Sequence, residues 1–202
     1  MKTVIIASNN AHKAEEIAEA LDFPGWRFQT LRQAGIASDP AEDADTFLGN
    51  ALIKARSAFA VAREAGLRAA VLADDSGLEV DALGGQPGVY SARYAGADGD
   101  DAANNSKLLA ELRDVPDERR SARFVCTLAF VDEDGSEITA RGTVEGRIGH
   151  ELRGEGGFGY DPLFFPDAYE GKLSFGQVPA QDKHAVSHRG NALRQLRELL
   201  GA

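Results

Sequence analysis

Two adjacent carboxylates in the first half of the chain are candidates for metal and proton chemistry. Asp74 and Asp75 directly follow the apolar run Ala69–Ala73, which predicts a buried strand. Ligands of open α/β sheets bind at the carboxyl ends of strands, and Mg²⁺ is often held by one or two carboxylates together with substrate phosphates. The pair therefore predicts a magnesium site in which a carboxylate can also take a proton from water. The alternative is an Asx turn with solvated aspartates.

A polar turn near the N-terminus combines features that bind phosphate. The strand predicted at Thr3–Ala7 ends at Ser8, and a helix carrying Lys13 should follow, with Asn9 or Asn10 as its N-cap. The free amides at a helix start and the positive end of its dipole attract anions, and Lys13 adds a full charge. A plain helix cap with a surface lysine explains the same residues, because the glycine-rich phosphate-loop pattern is absent.

An acidic loop, residues 39–45, carries Glu42 and precedes a long amphipathic helix. On that helix Asn50 and Lys54 are four residues apart, so they share a face and can point at one site. An acidic loop by itself is usually only solvated. The acidic loop can belong to the site only if it folds over Asp75.

The glycine-rich segment 154–162 contains a literal G-x-G-x-x-G pattern. A dinucleotide-binding fold is excluded, because the residues 161–165 stand where a helix should begin and the position is too late for a first βαβ unit. A glycine-rich turn with Phe158 and Tyr160 can instead bring backbone and an aromatic face to a planar base. The alternative is a tight turn whose aromatic rings lie in the core.

A basic segment lies near the C-terminus. Lys183, Ser187 and Gly190 are spaced for one helical face, with His188 and Arg189 beside them. Arginine offers fixed donors to a carbonyl or phosphate, and histidine can donate or accept. A solvated basic helix end is the alternative.

The elements that must position these residues alternate between strands and helices and then become β-rich. Further predicted elements are a first helix with Ala14, Ile17, Ala18 and Leu21 on its apolar face, a strand at 26–31, a helix that Thr46 opens and Gly66 ends, a loop at 84–99, a helix at 101–113, a hairpin of 124–131 and 137–148 around Asp134-Gly135, and a last helix with Leu193, Leu196, Leu199 and Leu200 as its apolar stripe. This order predicts an α/β or α+β protein with a mixed sheet.

Composition excludes several classes of partner. The chain has 202 residues, with 22 Lys and Arg against 32 Asp and Glu, and a formal net charge of −10. Proteins that hold nucleic acid through its phosphates need a basic face, so no nucleic-acid partner is expected. No run approaches the ~20 apolar residues of a membrane span, and we expect a cytoplasmic protein without membrane partners. The single cysteine, Cys126, is expected to be a small buried hydrophobe.

Six short segments, spread over nearly the whole chain, carry a stronger signal together than apart. They are Ser8-Asn9-Asn10-Ala11-His12-Lys13, Thr46-Phe47-Leu48-Gly49-Asn50-Ala51 with Lys54, Ala73-Asp74-Asp75-Ser76-Gly77-Leu78, Gly88-Val89-Tyr90-Ser91-Ala92-Arg93-Tyr94, Gly156-Gly157-Phe158-Gly159-Tyr160-Asp161-Pro162 and Ser187-His188-Arg189-Gly190. In this order they resemble the non-standard purine nucleoside triphosphate pyrophosphatases, also called inosine/xanthosine triphosphate pyrophosphatases. The chain departs from that pattern at Ser8, where threonine is common, and at Asn9 and His12, where glycines often stand.

The resemblance implies Mg²⁺-dependent cleavage between the α- and β-phosphates of inosine, deoxyinosine or xanthosine triphosphate, releasing a nucleoside monophosphate and pyrophosphate. It also implies an elongated α/β fold, with a mixed sheet flanked by helices, in which residues 1–202 form one domain with two lobes, a central substrate cleft and usually a homodimer. The alternatives are a nucleotide pyrophosphatase with another base preference and a non-catalytic nucleotide-binding sensor.

The family's site residues transfer to the matching positions. Asp75 would bind Mg²⁺ and act as the base, and Glu42 would assist the metal. The residues implied to contact substrate are Ser8, Asn9, Asn10, Ala11, His12, Lys13, Lys54, Ser76, Phe158, Gly159, Tyr160, Asp161, Lys183, His188 and Arg189. Residues 8–13 and Lys54 would hold the phosphates, and the last group would lie near the base.

Overall fold

The computed structural model describes residues 1–20, 23–96 and 99–201 of the chain. Within them lie six strands, β1 (Lys2–Ala7), β2 (Trp26–Thr30), β3 (Ala70–Val80), β4 (Ser121–Val131), β5 (Glu137–Ile148) and β6 (Phe164–Pro166). The α-helices are α1 (Ala11–Ala20), α2 (Phe47–Glu64), α3 (Asp101–Glu111), α4 (Ala180–Val186) and α5 (His188–Leu200). The region predicted as a loop at 84–99 contains a short 3₁₀ helix, Gly88–Arg93.

The six strands form one sheet in the order β2-β1-β3-β4-β5-β6. β1 runs parallel to both β2 and β3, whereas β5 and β6 are antiparallel. The predicted α/β class with a mixed sheet is therefore confirmed. β6 occupies the place where a dinucleotide-binding fold would begin a helix, so the rejection of that fold from the sequence was correct.

The chain divides into two compact units. Unit 1 contains Met1–Asp75, Cys126–Gly142 and Arg189–Ala202, and unit 2 contains Ser76–Val125 and Thr143–His188. Asp74 and Asp75 are thus the last residues of the first segment of unit 1.

Unit 1 has two apolar cores on opposite faces of its strands, because successive strand residues point to opposite sides of a sheet. Even-numbered residues of β1 and β3, such as Ile6 and Leu72, join a core formed with α1 and α5. Odd-numbered residues, such as Ile5 and Val71, join a separate core formed with α2. Unit 1 therefore has three layers, with helices on both faces of the strands.

The ends of α2 lie where the local sequence signals predict them. The Thr46 side chain caps the helix by accepting the Gly49 N–H. At the other end Gly66 has a φ of +74°, and its N–H donates to the Arg63 carbonyl, while the Leu67 N–H donates to the Ala62 carbonyl. This pair of bonds is the Schellman motif, which requires a left-handed residue at the glycine position.

Unit 2 contains a buried arginine that nothing in the sequence predicted. Arg120 is 2% exposed. Its guanidinium donates to the carbonyls of Ile148, Leu112 and Gly149 at 2.7 to 2.8 Å. The side chain therefore ties the end of α3 to the end of β5.

The strand predicted at 69–73 is wrong in its length. β3 continues to Val80, so Asp74, Asp75, Ser76 and Gly77 lie inside a strand and not in a turn. Asp74 and Asp75 are only 2% and 7% exposed, which excludes solvated aspartates.

The predicted single helical face in the basic segment is also wrong. α4 ends at Val186, Ser187 has extended backbone with φ −74° and ψ 158°, and α5 begins at His188. Lys183, Ser187 and Gly190 therefore do not share one helix.

Two apolar positions differ from the predicted helix faces. Leu199 is 54% exposed, although Leu193 and Leu196 of the same predicted stripe are buried. In α1, Ala18 is exposed, while Ala14 and Ile17 are buried as expected. Leu21 lies outside the described residues.

Candidate active site

β3 directs the two neighbouring carboxylates of unit 1 to opposite faces of the sheet. Asp74 belongs to the even-numbered series that faces α1 and α5, and Asp75 belongs to the odd-numbered series that faces α2. Each carboxylate accordingly pairs with cations from a different layer. Lys13 and Arg189 lie against Asp74, and Lys54 lies against Asp75.

Asp74 is held by two cations and a thiol. Its Oδ1 lies 3.4 Å from the Lys13 ammonium, and its Oδ2 accepts from Arg189 Nε and from Cys126 Sγ, each at 3.0 Å. Burial opposes ionisation, but Arg189 and Lys13 together hold the pKa of Asp74 well below its ordinary value. Asp74 is therefore a fixed negative charge rather than a proton acceptor.

Arg189 connects three elements of unit 1. The side chain is 1% exposed, and it donates both to Asp74 of β3 and to the Glu16 carboxylate of α1. Sequence reasoning missed Glu16 and the thiol contact of Cys126. The signal for Glu16 was present, because it lies three residues after Lys13 on one helix face. The contact of Arg189 with a substrate base stays a prediction.

Asp75 lies in a different electrostatic environment. Its Oδ1 accepts from the Lys54 ammonium at 2.8 Å, whereas its Oδ2 is buried and has no hydrogen-bond partner among the described residues. Burial raises the pKa of Asp75 to about 6, and the charge of Lys54 opposes that rise. Near neutral pH this carboxylate is mostly ionised, yet it accepts a proton more readily than an ordinary aspartate.

The acidic loop folds over this site. The Lys54 ammonium donates to Glu42 Oε2 at 2.7 Å as well as to Asp75, so one cation links the loop to β3. The sequence left open whether the acidic loop folds over Asp75, and the structure shows that it does. Asn50 does not point at the same group, since its Oδ1 accepts the backbone N–H of Ala44.

The polar turn after β1 is organised by its own side chains. Ser8 Oγ accepts the Asn10 N–H at 3.2 Å, and Asn10 Oδ1 accepts the Lys13 N–H at 3.1 Å. Asn10, rather than Asn9, is therefore the N-cap of α1. This cap leaves Lys13 on the first turn of the helix, where its ammonium approaches Asp74.

The remaining residues of the turn have different environments. Asn9 Nδ2 donates to the Ser38 carbonyl at 3.2 Å and to Asp39 Oδ1 at 3.0 Å, so it holds the start of the acidic loop. His12 is exposed. Ala11 begins α1, and its side chain lies outside the described residues.

In unit 2 a buried ion pair supports the glycine-rich segment. The Lys183 ammonium donates to Asp161 Oδ2 at 2.7 Å, and the two residues are 5% and 2% exposed. The same Oδ2 accepts the Phe158 N–H at 2.9 Å. The ammonium also lies 5.2 Å from the centre of the Phe158 ring, which is half-buried. Asp161 thus fixes a cation and the backbone next to an aromatic face.

Helix α3 binds Gly159, the residue after Phe158, through both its N–H and its carbonyl. The Gly159 N–H donates to Asp101 Oδ2 at 2.6 Å, and the Gly159 carbonyl accepts from Asn105 Nδ2 at 2.8 Å. Sequence reasoning missed both residues, although their spacing of four places them on one helix face. Tyr160 is 4% exposed and donates its hydroxyl to a backbone carbonyl, so its ring belongs to the core of unit 2.

The other predicted contact residues of unit 2 are placed as follows. His188 is 5% exposed, and its ring stacks on Phe124 with 4.8 Å between ring centres. Ser76 is half-buried in β3, directly after Asp75. A solvated basic helix end is excluded, because Lys183 and His188 of unit 2 and Arg189 of unit 1 are each at most 5% exposed. Contact of these residues with a substrate stays a prediction.

Comparison with known proteins decides the family. A model of the Ham1 family matches residues 4–199. The chain belongs to the Ham1 family. The membership inferred from the six ordered segments is therefore confirmed.

Named relatives and a solved structure match the chain over nearly its full length. The chain is 48% identical to the dITP/XTP pyrophosphatase of Cutibacterium acnes over 198 residues, which cover 97% of this chain and 95% of that protein. It is 51% identical to the dITP/XTP pyrophosphatase of Mycolicibacterium paratuberculosis over 199 residues, covering 97% and 94%. The solved Ham1 protein of Staphylococcus aureus gives a TM-score of 0.84 at 38% identity, covering 99% of this chain and 98% of that one.

The donor set beside Asp75 suits a hard divalent cation. Asp75 Oδ2 is a buried carboxylate oxygen without a hydrogen-bond partner among the described residues, and the Glu42 carboxylate shares Lys54 with it. In the described part of the chain, no group of three or more His, Cys, Asp or Glu side chains forms a metal cluster. One or two carboxylates completed by substrate phosphates is the arrangement that Mg²⁺ commonly takes.

No helix among the described residues is both long and apolar enough to cross a membrane.

Removing the buried guanidinium should destabilise unit 1 strongly. We expect Arg189→Met to lower the free energy of unfolding by about 3–5 kcal/mol, since it leaves the buried Asp74 carboxylate without its closest cation. The matched control is Arg56→Met, which breaks the exposed ion pair with Glu137 and should lower the free energy of unfolding far less, because exposed ion pairs contribute little to stability. Urea unfolding followed by circular dichroism measures both. Equal losses in the two variants would contradict the structural role of Arg189.

Removing the cation beside Asp75 should raise the pKa of that carboxyl further. In the metal-free protein the pKa is about 6, above the ordinary 3.8, so Asp75 favours folding at low pH and this contribution is lost as the pH rises through about 6. Lys54→Met should move the pKa above about 6, as followed by NMR of ¹³C-labelled aspartate carboxyls. Lys2→Met, which removes a lysine paired with Asp132, is the control and should leave the Asp75 titration in place. An unchanged or lower pKa of Asp75 in Lys54→Met would refute the role of Lys54 as the cation that lowers this pKa.

Proposed function

We propose that the protein hydrolyses non-standard purine nucleoside triphosphates, those of inosine, deoxyinosine and xanthosine, to the nucleoside monophosphate and pyrophosphate. Relatives at 48% and 51% identity that are named dITP/XTP pyrophosphatases support this reaction. The observation that carries the proposal is Asp75, a buried carboxylate with a pKa of about 6. One of its oxygens binds Lys54, and the other has no hydrogen-bond partner among the described residues. Such a group is suited to hold a divalent cation and to accept a proton from water.

The phosphates would be held by the polar turn and the lysines of unit 1. A triphosphate brings three to four negative charges to a protein whose own net charge is −10, so the local field must be reversed where it binds. Lys13, Lys54 and the positive end of the α1 dipole supply that positive field. Mg²⁺, when held by Asp75 and Glu42, would neutralise further phosphate charge. Asp75 would take the proton of the attacking water.

Recognition of the base is assigned to Phe158–Asp161, Lys183, His188 and Arg189, with Ser76 as a further substrate contact. Hypoxanthine and xanthine carry a keto oxygen at position 6, whereas adenine carries an amino group there. A site that offers hydrogen-bond donors at position 6 would leave them unpaired when adenine binds. This loss favours hypoxanthine and xanthine strongly over adenine. Lys183 is such a donor, and its pairing with Asp161 fixes its position before a ligand binds.

Two other functions remain open to test. A nucleotide pyrophosphatase with another base preference would use the same residues of unit 1. A non-catalytic nucleotide sensor is disfavoured, because binding alone does not need a buried carboxylate with a raised pKa. A homodimer, which rests on the family resemblance, and a cytoplasmic location, which was expected from the short apolar runs of the sequence, belong to the same proposal.

The products formed from inosine triphosphate distinguish these functions. With Mg²⁺ we expect inosine monophosphate and pyrophosphate, and faster turnover of the triphosphates of inosine, deoxyinosine and xanthosine than of ATP or GTP. Ion-exchange chromatography of the products, over a panel of common nucleoside triphosphates, measures both. Release of diphosphate and orthophosphate would reject the reaction, and binding without products would favour the sensor. Faster turnover of a common nucleotide would establish another base preference.

Asp75→Asn should remove most of the turnover and spare binding. Loss of a general base lowers the rate by about a thousandfold, while the lysines assigned to the phosphates, Lys13 and Lys54, stay in place. Turnover is measured with inosine triphosphate, and affinity by calorimetry with the same nucleotide. Asp114→Asn, an exposed aspartate outside the site, is the control and should keep wild-type turnover. Unchanged turnover in Asp75→Asn would remove Asp75 from its role.

A further inference from the structure

The acidic loop depends on side chains for its position. Residues 37–41 and 43–45 make no backbone–backbone hydrogen bond within the described part of the chain. An irregular segment without such bonds adopts one conformation only if other contacts offset the conformational entropy that ordering removes. The contacts that fix this loop therefore decide where the Glu42 carboxylate lies.

One face of α2 holds the loop at two successive turns. Asn50 is 2% exposed, and its Oδ1 accepts the backbone N–H of Ala44 at 3.0 Å. One turn later Lys54 donates to Glu42 at 2.7 Å and to Asp75 at 2.8 Å. Asn50 thus fixes the backbone of the loop, and Lys54 fixes the carboxylate that the loop carries.

The loop also approaches the helix too closely for a side chain at one position. A Cβ added to Gly49 would lie 2.5 Å from the Cβ of Ala44. Carbon atoms this close repel strongly, so any larger residue at 49 must displace Ala44 or the helix. Asn50 and Gly49 therefore act on the same point of the loop, one by a hydrogen bond and the other by leaving space.

We propose that Asn50, with Gly49, is a positioning residue that sets Glu42 for the divalent cation beside Asp75. The inference rests on the proposed function, because it assigns Glu42 to the metal. Among the described residues, Asn50 makes no hydrogen bond to Asp75 or to the polar turn at residues 8–13; it acts through the backbone of Ala44. Residues that orient metal ligands through a hydrogen bond commonly change metal affinity by tenfold or more when they are replaced.

The test measures metal binding apart from turnover. Mn²⁺ alone is titrated into the full-length protein, and the free ion is followed by electron paramagnetic resonance. Asn50→Ala should weaken Mn²⁺ binding by about tenfold. In turnover assays the Mg²⁺ concentration for half-maximal activity should rise by a similar factor, while KM for inosine triphosphate at saturating Mg²⁺ changes less than about twofold. Gly49→Ala should act in the same direction, and it keeps the inference testable where Asn50→Ala fails to fold.

The matched control lies at the other end of the same helix. Gly66→Ala strains the left-handed residue that ends α2, so it lowers stability without touching the acidic loop. It should leave Mn²⁺ affinity at the wild-type value. Unchanged Mn²⁺ affinity in Asn50→Ala and Gly49→Ala would overturn the inference, as would an equal loss in Gly66→Ala.

Failure of the proposed function gives a different result. A wild-type protein that converts inosine triphosphate to other products, or to none, refutes the proposed function whatever the variants do. A wild-type protein that makes the expected products but has variants indistinguishable from it in Mn²⁺ binding refutes only the role of Asn50 and Gly49. A wild-type protein that binds no Mn²⁺ refutes the metal assignment and the inference together.

Discussion

The alternation of side chains along β3 is the constraint on which the candidate site depends. Because neighbouring strand residues point to opposite faces, Asp74 and Asp75 lie in two different layers of unit 1 although they are adjacent in the chain. Two carboxylates on the same side would repel each other and require one shared cation. On opposite sides, each has its own closest cation, Arg189 for Asp74 and Lys54 for Asp75, and its own protonation behaviour, while the charge of Lys13 lowers the pKa of both.

This separation gives the two carboxylates different tasks. Asp74 lies between Lys13 and Arg189, stays charged and links α1, α5 and β3. Asp75 has only one oxygen on Lys54, and burial keeps its pKa high enough for proton transfer. Burying charges costs free energy, and buried ion pairs of this kind commonly fix one arrangement of groups more than they add stability. These pairs place Lys13, Lys54 and Arg189 among the carboxylates of Glu16, Glu42, Asp74 and Asp75, so each buried charge has an opposite partner.

Local signals in the sequence predicted much of the fold. The apolar run of β1, the cap at Thr46 and the glycine at 66 each specify an element through contacts within a few residues, and the structure has these elements where expected. The position of the acidic loop was left open by the sequence, and the structure shows Lys54 binding both Glu42 and Asp75.

The errors arose where distant contacts override local preference. Asp-Asp-Ser-Gly favours a turn, and it continues a strand here because Lys54 and Arg189, remote in sequence, neutralise the two carboxylates. The break at Ser187 did have a local signal, since serine is favoured at the residue before a helix. The helical spacing of Lys183 and Gly190 concealed it. The second role of Arg189, as partner of Asp74 and Glu16, depends on the packing of three elements and has no short-range pattern.

The contact between Cys126 and Asp74 has a consequence for the chemistry of the thiol itself. Cys126 is the only cysteine of the chain, it is 0% exposed, and burial together with the Asp74 charge raises its pKa well above the ordinary value. A thiol of this kind is inert toward alkylating reagents and oxidants while the fold is closed, since both react with an accessible thiolate. The rate at which an alkylating reagent labels Cys126 therefore reports how often the interior of unit 1 opens to solvent.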